Sequence, residues 1–399
     1  MTPLLLSHFT ATSCIGRGLD PTLRALRERR GGLAACAFDT VDLAICVGEV
    51  PGVDAVRLPQ ALAPFDCRNN RLALLGLEQD GFADAVRLAI AQYGAQRVGV
   101  ILGTSTSGIL QTELAYRRRD PATGALPPDY NYHTTHNTYS LAAFTRRYFG
   151  LSGPAATVSS ACSSSARVFT SARRMIAAGL IDAAIVGGVD SLCLTTLYGF
   201  NSLELVSDEP CRPFDTRRNG ISIGEAAAFA LLQRAPPQPA PDAVLLLGTG
   251  ESSDAYHMSS PHPDGLGARM AMQDALRMAA LQPADIDYIN LHGTATPTND
   301  AAEGKAVNAV FGRHTPCSST KGATGHTLGA AGGLEAVICA LALQHQFLPA
   351  GINTRQRDAA LDVDYVLDNR AQPLARVISN SFGFGGTNCS LIFGRAGPA

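Results

Sequence analysis

The run Pro236-Pro237-Gln238-Pro239-Ala240-Pro241 constrains this chain more than any other segment. Its prolines remove the N–H donors that a helix interior or a central strand needs, so it reads as a stiff linker. It separates a longer half, residues 1–235, from a shorter one, residues 242–399. Both halves carry short apolar strand candidates beside Ala-rich helical stretches. In the first half these are 97–102 and 183–187; in the second they are 243–247, 288–291 and 377–379. Strands apolar on both sides are buried on both faces, which is the α/β pattern. The halves also echo each other. A strand at 157–160 runs into the turn Ala161-Cys162-Ser163 and then a helix. A strand at 377–380 runs into Phe382-Gly383-Phe384-Gly385-Gly386 and a further strand candidate at 389–393. The pattern predicts a duplicated α/β/α architecture.

With 46% hydrophobic and 17% charged residues in 399, the chain can bury a large core. A formal net charge of −2 provides no field for nucleic acid or an anionic membrane. The apolar stretch 334–343 is broken by Glu335 and reads as too short to span a bilayer, and residues 1–6 show no signal-peptide pattern. The ten cysteines (14, 36, 46, 67, 162, 193, 211, 317, 339 and 389) form no C-x-x-C pair. That spacing argues against zinc and redox pairs and for a reducing cytoplasm, with most thiols acting as small core residues.

One cysteine is different. Cys162 sits at the expected start of a helix over 163–178, among Ser and Ala residues that leave room for a substrate. A helix N-terminus is expected to lower the thiol pKa, and its N–H groups can receive an oxyanion. His292, in LHGTATPTND, and His326, in KGATGHTLGAAG, lie in small-residue loops that can aim side chains into one cleft. Neutral imidazoles there can donate to a thioester oxygen as it becomes an enolate. Lys321 supplies a fixed positive charge, and Glu335 is its expected ion-pair partner. Taken singly, the cysteine reads equally well as core and each histidine as a satisfied loop residue. Together they read as a site. The spacing matches no metal signature, and His133-x-x-His136 has no cysteine or carboxylate nearby, so no metal is expected.

At these residues the sequence closely resembles the elongating β-ketoacyl-acyl carrier protein synthases of the thiolase-like superfamily. The shared motifs run in order: SSACSSSA around Cys162, FDTRRNGISIGEAA from Phe214, SSDAYHMSSP from Ser252, the two histidine loops, and SNSFGFGGTN from Ser379. The resemblance implies a five-layer α-β-α-β-α fold and a decarboxylative condensation of an acyl-enzyme with malonyl-acyl carrier protein. It implies no bound cofactor, because the substrates ride on the phosphopantetheine of the carrier protein. It makes Cys162 the nucleophile, His292 and His326 the enolate stabilisers, and the N–H groups of Cys162 and Phe384 the oxyanion hole. Phe384 is also similar to the family's gating phenylalanine. Thr294 and Thr296 are implied to contact the pantetheine arm, with Phe382 a further substrate-binding position. Asp300 and Glu303 support the site.

The resemblance loosens before residue 70. Asn69 and Asn70 stand where relatives often carry basic docking residues, leaving Arg68, Arg71, Arg117, Arg118 and Arg119 as substitutes. Thr106 falls at the implied floor of the acyl pocket across a dimer interface. A Thr there suggests a specialised chain, for example polyunsaturated or aryl polyene. The expected partners are a carrier protein and either a second copy or a chain-length-factor-like subunit. Two rival functions are a non-catalytic partner subunit, which would lack the nucleophilic cysteine, and a thiolase-type acyltransferase. The latter needs a second catalytic cysteine, but Cys389 lies inside a strand candidate and reads as core.

Overall fold

The computed structural model describes residues 2–39 and 41–397. Two five-stranded sheets share one topology. The first contains β1 (Leu4–Ser13), β2 (Val98–Gly103), β3 (Ala155–Val158), β4 (Ala183–Asp190) and β5 (Ala226–Arg234), in the order β1-β5-β4-β2-β3. The second contains β6 (Val244–Ser253), β7 (Tyr288–Asn290), β8 (Cys317–Ser318), β9 (Arg376–Gly383) and β10 (Thr387–Arg395), in the order β6-β10-β9-β7-β8. Strand directions repeat too. The pairs β1/β5 and β5/β4 are antiparallel, and β4/β2 and β2/β3 are parallel; their counterparts in the second sheet do the same. The sheets join where β1 pairs antiparallel with β6. The proline-rich connection leads from β5 to β6, the two neighbours of β1.

Helices complete five layers. On the outer face of the first sheet lie α1 (Arg68–Leu77), α2 (Phe82–Tyr93) and α3 (Ser140–Tyr148). In the middle, α4 (Ser164–Ala177), after β3, and α7 (Ala331–His345), after β8, each touch both sheets and each other. Outside the second sheet, α5 (Leu266–Ala279) packs on β6 and β10, and α6 (Pro297–Phe311) packs on α5. This is the thiolase-like duplicated α-β-α-β-α arrangement.

The topology corrects the expected echo. The counterpart of the strand leading to Cys162, β3, is β8, the strand leading to Lys321 and His326. The Phe384 loop follows β9, whose counterpart is β4, ending at Asp190. The nucleophile and the lysine–histidine segment are therefore the equivalent features, each preceding a middle-layer helix.

The middle helices explain two sequence features. A helix touching protein on all sides must be apolar all round, and every residue of α7 from Ala331 to Leu343 is buried. The apolar run is longer than the sequence reading allowed. Leu328–His345 reaches 18 residues, enough by length and composition to cross a membrane, yet 89% of it is buried within the protein. The second feature is Gly332. A Cβ there would lie 2.7 Å from both the Cβ and the N of Ala166 on α4. At the next residue, the N–H of Gly333 donates to Ser165 Oγ at 2.8 Å. This backbone-level approach brings the Cys162 and His326 segments together.

Overpacking a rigid core typically costs about 1–3 kcal/mol. Gly332→Ala should therefore lower unfolding stability by roughly that amount in urea denaturation followed by circular dichroism. A variant as stable as the parent would show that the helices do not meet this closely.

Candidate active site

Cys162 sits in a tight turn between β3 and α4. Ala161 just before it is left-handed, with φ of 50°, a conformation that costs a non-glycine residue about 1–2 kcal/mol. The turn is held by Ser164, whose Oγ accepts from the N–H of Ser160 at 2.8 Å and donates to the carbonyl of Ala161 at 2.6 Å. Cys162 immediately precedes Ser163, the N-cap of α4. The thiol is buried, and the backbone N–H groups of Phe384 and Cys162 lie close enough to favour its thiolate. This reverses one expectation. Burial pushes the Cys162 thiol up to about 11, and the opposing pull of Lys321 and the two N–H groups does not offset it.

His292 follows β7. Its N–H donates to Glu303 Oε1 at 2.8 Å, and the N–H of Gly293 donates to Oε2 at 2.7 Å. Asp300, also on α6, accepts from the N–H groups of Thr294, Ala295 and Phe214 at 3.0, 3.2 and 2.9 Å. Both carboxylates thus shape the histidine loop through its backbone and do not reach into the cleft. Lys321 fixes the imidazole. Its Nζ is bonded to Glu335 Oε1, to the carbonyl of His292 at 2.5 Å and to His292 Nδ1 at 3.4 Å. An ammonium has three N–H donors and no acceptor, so Nδ1 must accept and the ring proton sits on Nε2. The anticipated Lys321–Glu335 ion pair is present and almost wholly buried.

His326 follows β8, and its backbone N–H donates to the carbonyl of Ser222 at 2.7 Å. Its ring is buried, yet neither ring nitrogen has a partner among the described residues. The two imidazoles meet edge to face, with centroids 5.3 Å apart. Burial and the nearby Lys321 charge drive both histidines well below the usual imidazole pKa, so both are neutral at pH 7. Ligand-type atoms of Cys162, His292 and His326 all lie within 4.8 Å of one another. A cation held there would face the Lys321 ammonium against His292, so the setting suits a developing anion better than a metal ion.

These side chains open into a cleft lined also by Thr294, Thr296, Phe382 and Phe384. The Thr294 and Thr296 hydroxyls lie 2.8 Å apart. The Phe382 ring is 5.8 Å from His292, and Phe384 packs at 5.7 Å on Phe200. The sequence reading missed Phe200, Asp254 and Asn388 in this lining. The Asn388 amide donates to Asp254 Oδ1 at 2.7 Å, linking two of the quoted motifs.

Other expected positions lie elsewhere. Thr106 is buried outside the cleft lining, with its hydroxyl 2.8 Å from Asp190. Asn69 and Asn70 are buried, so neither replaces a docking residue. Arg68 is buried too, bonded to Glu225, Asp54 and Glu49. Arg71 pairs with Asp66 at 2.6 Å and Arg118 with Asp129 at 3.1 Å. Arg117 and Arg119 are exposed at the end of the helix Ile109–Arg117 and just beyond it. Cys389 is a core residue of β10. His136 is hydrogen-bonded to Thr112 and stacked on Tyr132.

Known proteins agree with this geometry. Residues 76–237 match the β-ketoacyl synthase N-terminal domain and residues 243–355 the C-terminal domain. The 3-oxoacyl-[acyl-carrier-protein] synthase 2 of Vibrio cholerae is 33% identical, over 96% of both chains. The chain belongs to the β-ketoacyl synthase family. The corresponding Vibrio harveyi enzyme is 36% identical, over 96% of this chain and 95% of its own. Among solved structures, a chain from the complex of a ketosynthase (ApeO) with its chain length factor (ApeC) from Xenorhabdus doucetiae is 41% identical. It has a TM-score of 0.89 and coverage of 99% and 98%. A β-ketoacyl synthase from Burkholderia phymatum is 28% identical, also at a TM-score of 0.89, covering 99% of this chain and all of that one. The chain is accordingly a ketosynthase, an enzyme that elongates acyl chains by condensation.

Because the Cys162 thiol is protonated at neutral pH, its alkylation by iodoacetamide should rise about tenfold per pH unit from pH 7 to 10. Lys321→Met removes a charge that lowers this pKa, so alkylation at fixed pH should slow. A plateau near pH 7, or faster alkylation in the variant, would contradict this electrostatic account.

Proposed function

We propose that Cys162, His292 and His326 divide the two half-reactions of the condensation. The observation that carries this division is the contrast between the buried thiol, flanked by the backbone N–H groups of Cys162 and Phe384, and the two neutral imidazoles beside it. In the first half-reaction, Cys162 Sγ attacks the thioester carbonyl of an acyl-carrier protein. The Phe384 and Cys162 N–H groups receive the oxyanion, and the thiol proton leaves on the pantetheine sulfur. In the second, malonyl-carrier protein loses carbon dioxide. His292 donates from Nε2–H, and His326, whose nitrogens are otherwise unpartnered, supplies the second contact to the enolate oxygen. The enolate carbon attacks the acyl-Cys162 carbonyl, and the thiolate expelled is reprotonated. Thr294, Thr296 and Phe382 line the path of the pantetheine arm, and Phe384 gates it. No bound cofactor enters this scheme.

The partner is read as a chain-length-factor-like subunit, on the strength of the 41% identical Xenorhabdus ketosynthase–chain length factor complex. The acyl chain is read as a specialised one of the aryl polyene type, and the ten free cysteines suit a reducing cytoplasm.

Incubation with acyl- and malonyl-carrier protein, followed by mass spectrometry and carbon dioxide release, tests the division. Cys162→Ala should form no acyl-enzyme, and Cys162→Gln should still decarboxylate malonyl-carrier protein. His292→Ala and His326→Ala should acylate but lose decarboxylation by about 10²–10⁴-fold. Acylation persisting in Cys162→Ala would refute the nucleophile and favour a non-catalytic role for this residue.

A further inference from the structure

The residue most densely bonded around this site is one that the condensation does not use directly. Asp190 ends β4 and is fully buried. Its carboxylate accepts from the Thr104 hydroxyl at 2.6 Å and from Ser105 through N–H at 2.8 Å and hydroxyl at 2.9 Å. It also accepts from Thr106, through N–H at 2.9 Å and hydroxyl at 2.8 Å. A further bond crosses to the other half of the molecule, where the N–H of Gly329 donates at 2.5 Å. All these partners are placed to donate, and their bonds oppose the rise in pKa that burial imposes on the carboxyl. Gly329 lies three residues after His326. A Cβ there would stand 2.4 Å from Ser105 Oγ and 2.7 Å from Asp190 Oδ2, so the clamp closes only on glycine.

We infer that Asp190 is a positioning residue for the condensation, clamping the 104–106 loop to the His326 segment and so fixing the His326 imidazole relative to Cys162. This rests on the role for His326 proposed above. The His326 ring has no hydrogen bond of its own, so its aim depends on the backbone that carries it. That backbone is held at His326 itself by bonds to Ser222 and from Gly224, and three residues further on by the bond from Gly329 to Asp190. Because Thr106 is tied to the same carboxylate, a change in that loop reaches the decarboxylation site through Asp190.

The charge has a second effect. Asp190 raises the Cys162 thiol pKa, while Lys321 opposes it.

The test compares the parent enzyme with Asp190→Asn and Thr104→Val in the two half-reactions. In Asp190→Asn, decarboxylation of malonyl-carrier protein should fall about 10²-fold, the loss expected from a misplacement of about 1 Å. Cys162 acylation should persist, and the pH profile of Cys162 alkylation should shift to lower pH. Thr104→Val removes one donor to Asp190, together with the acceptor of the Ser107 N–H, and guards against a misfolded first variant. It should reduce decarboxylation several-fold with thermal stability retained. Folded variants with parent-like decarboxylation and an unshifted alkylation profile would overturn the inference. A parent enzyme that neither acylates Cys162 nor decarboxylates malonyl-carrier protein would instead overturn the proposed half-reactions.

Discussion

The Lys321 ammonium is the contact on which the rest of the site depends. Buried charge is tolerated only when its hydrogen-bonding capacity is filled, and removing one partner of such a pair typically costs about 3–5 kcal/mol. Here the three donors are spent on Glu335, the His292 carbonyl and His292 Nδ1. A single lysine thereby ties α7 to the histidine loop after β7, sets the tautomer of His292 and adds to the burial that keeps both imidazoles neutral. It also lowers the energy of the Cys162 thiolate. The same positive charge that disfavours imidazolium favours an enolate, and decarboxylation produces an enolate.

The duplicated fold delivers this contact. In each half the third strand leads into a small-residue segment and then a helix of the middle layer. One such segment carries Cys162, and the other carries Lys321 and His326. Because α4 and α7 meet back to back at Gly332 and Ala166, symmetry-related segments from the two halves face a common cleft. The second strand of the second half contributes His292, and the fourth contributes the Phe384 loop. Asp190 ends the equivalent fourth strand of the first half, and it binds the His326 segment instead of a substrate.

Much of this was legible in the sequence, for physical reasons that differ by residue. Cys162, His292, His326, Lys321 and Phe384 stand in runs of Gly, Ala, Ser and Thr that serve as approach space, so their motifs stand out. The strands β2, β4 and β7 were readable because burial on both faces makes them continuously apolar. The strand β5, with the sequence AAAFALLQR, was not, since alanine favours helices and only its place between β1 and β4 decides the matter. The equivalence of β3 with β8 was hidden because β8 is only two residues long. The thiol pKa was misjudged because the helix start is visible in sequence while desolvation is not. Asp190 was missed because one carboxylate at the end of an apolar strand has no motif. The burial of Arg68 was not legible because its acidic partners, such as Glu225, are distant in sequence.

The claim that a lysine-held neutral histidine pair performs the decarboxylation is tested most directly by nitrogen-15 NMR of histidine-labelled protein, with His292→Ala and His326→Ala for assignment. The account predicts that at pH 7 His292 carries its proton on Nε2 with Nδ1 unprotonated. Neither His292 nor His326 should titrate as pH falls through 6.5, because burial and Lys321 hold both folded pKa values below that of the unfolded chain. An imidazolium at pH 7, or a His292 proton on Nδ1, would contradict it.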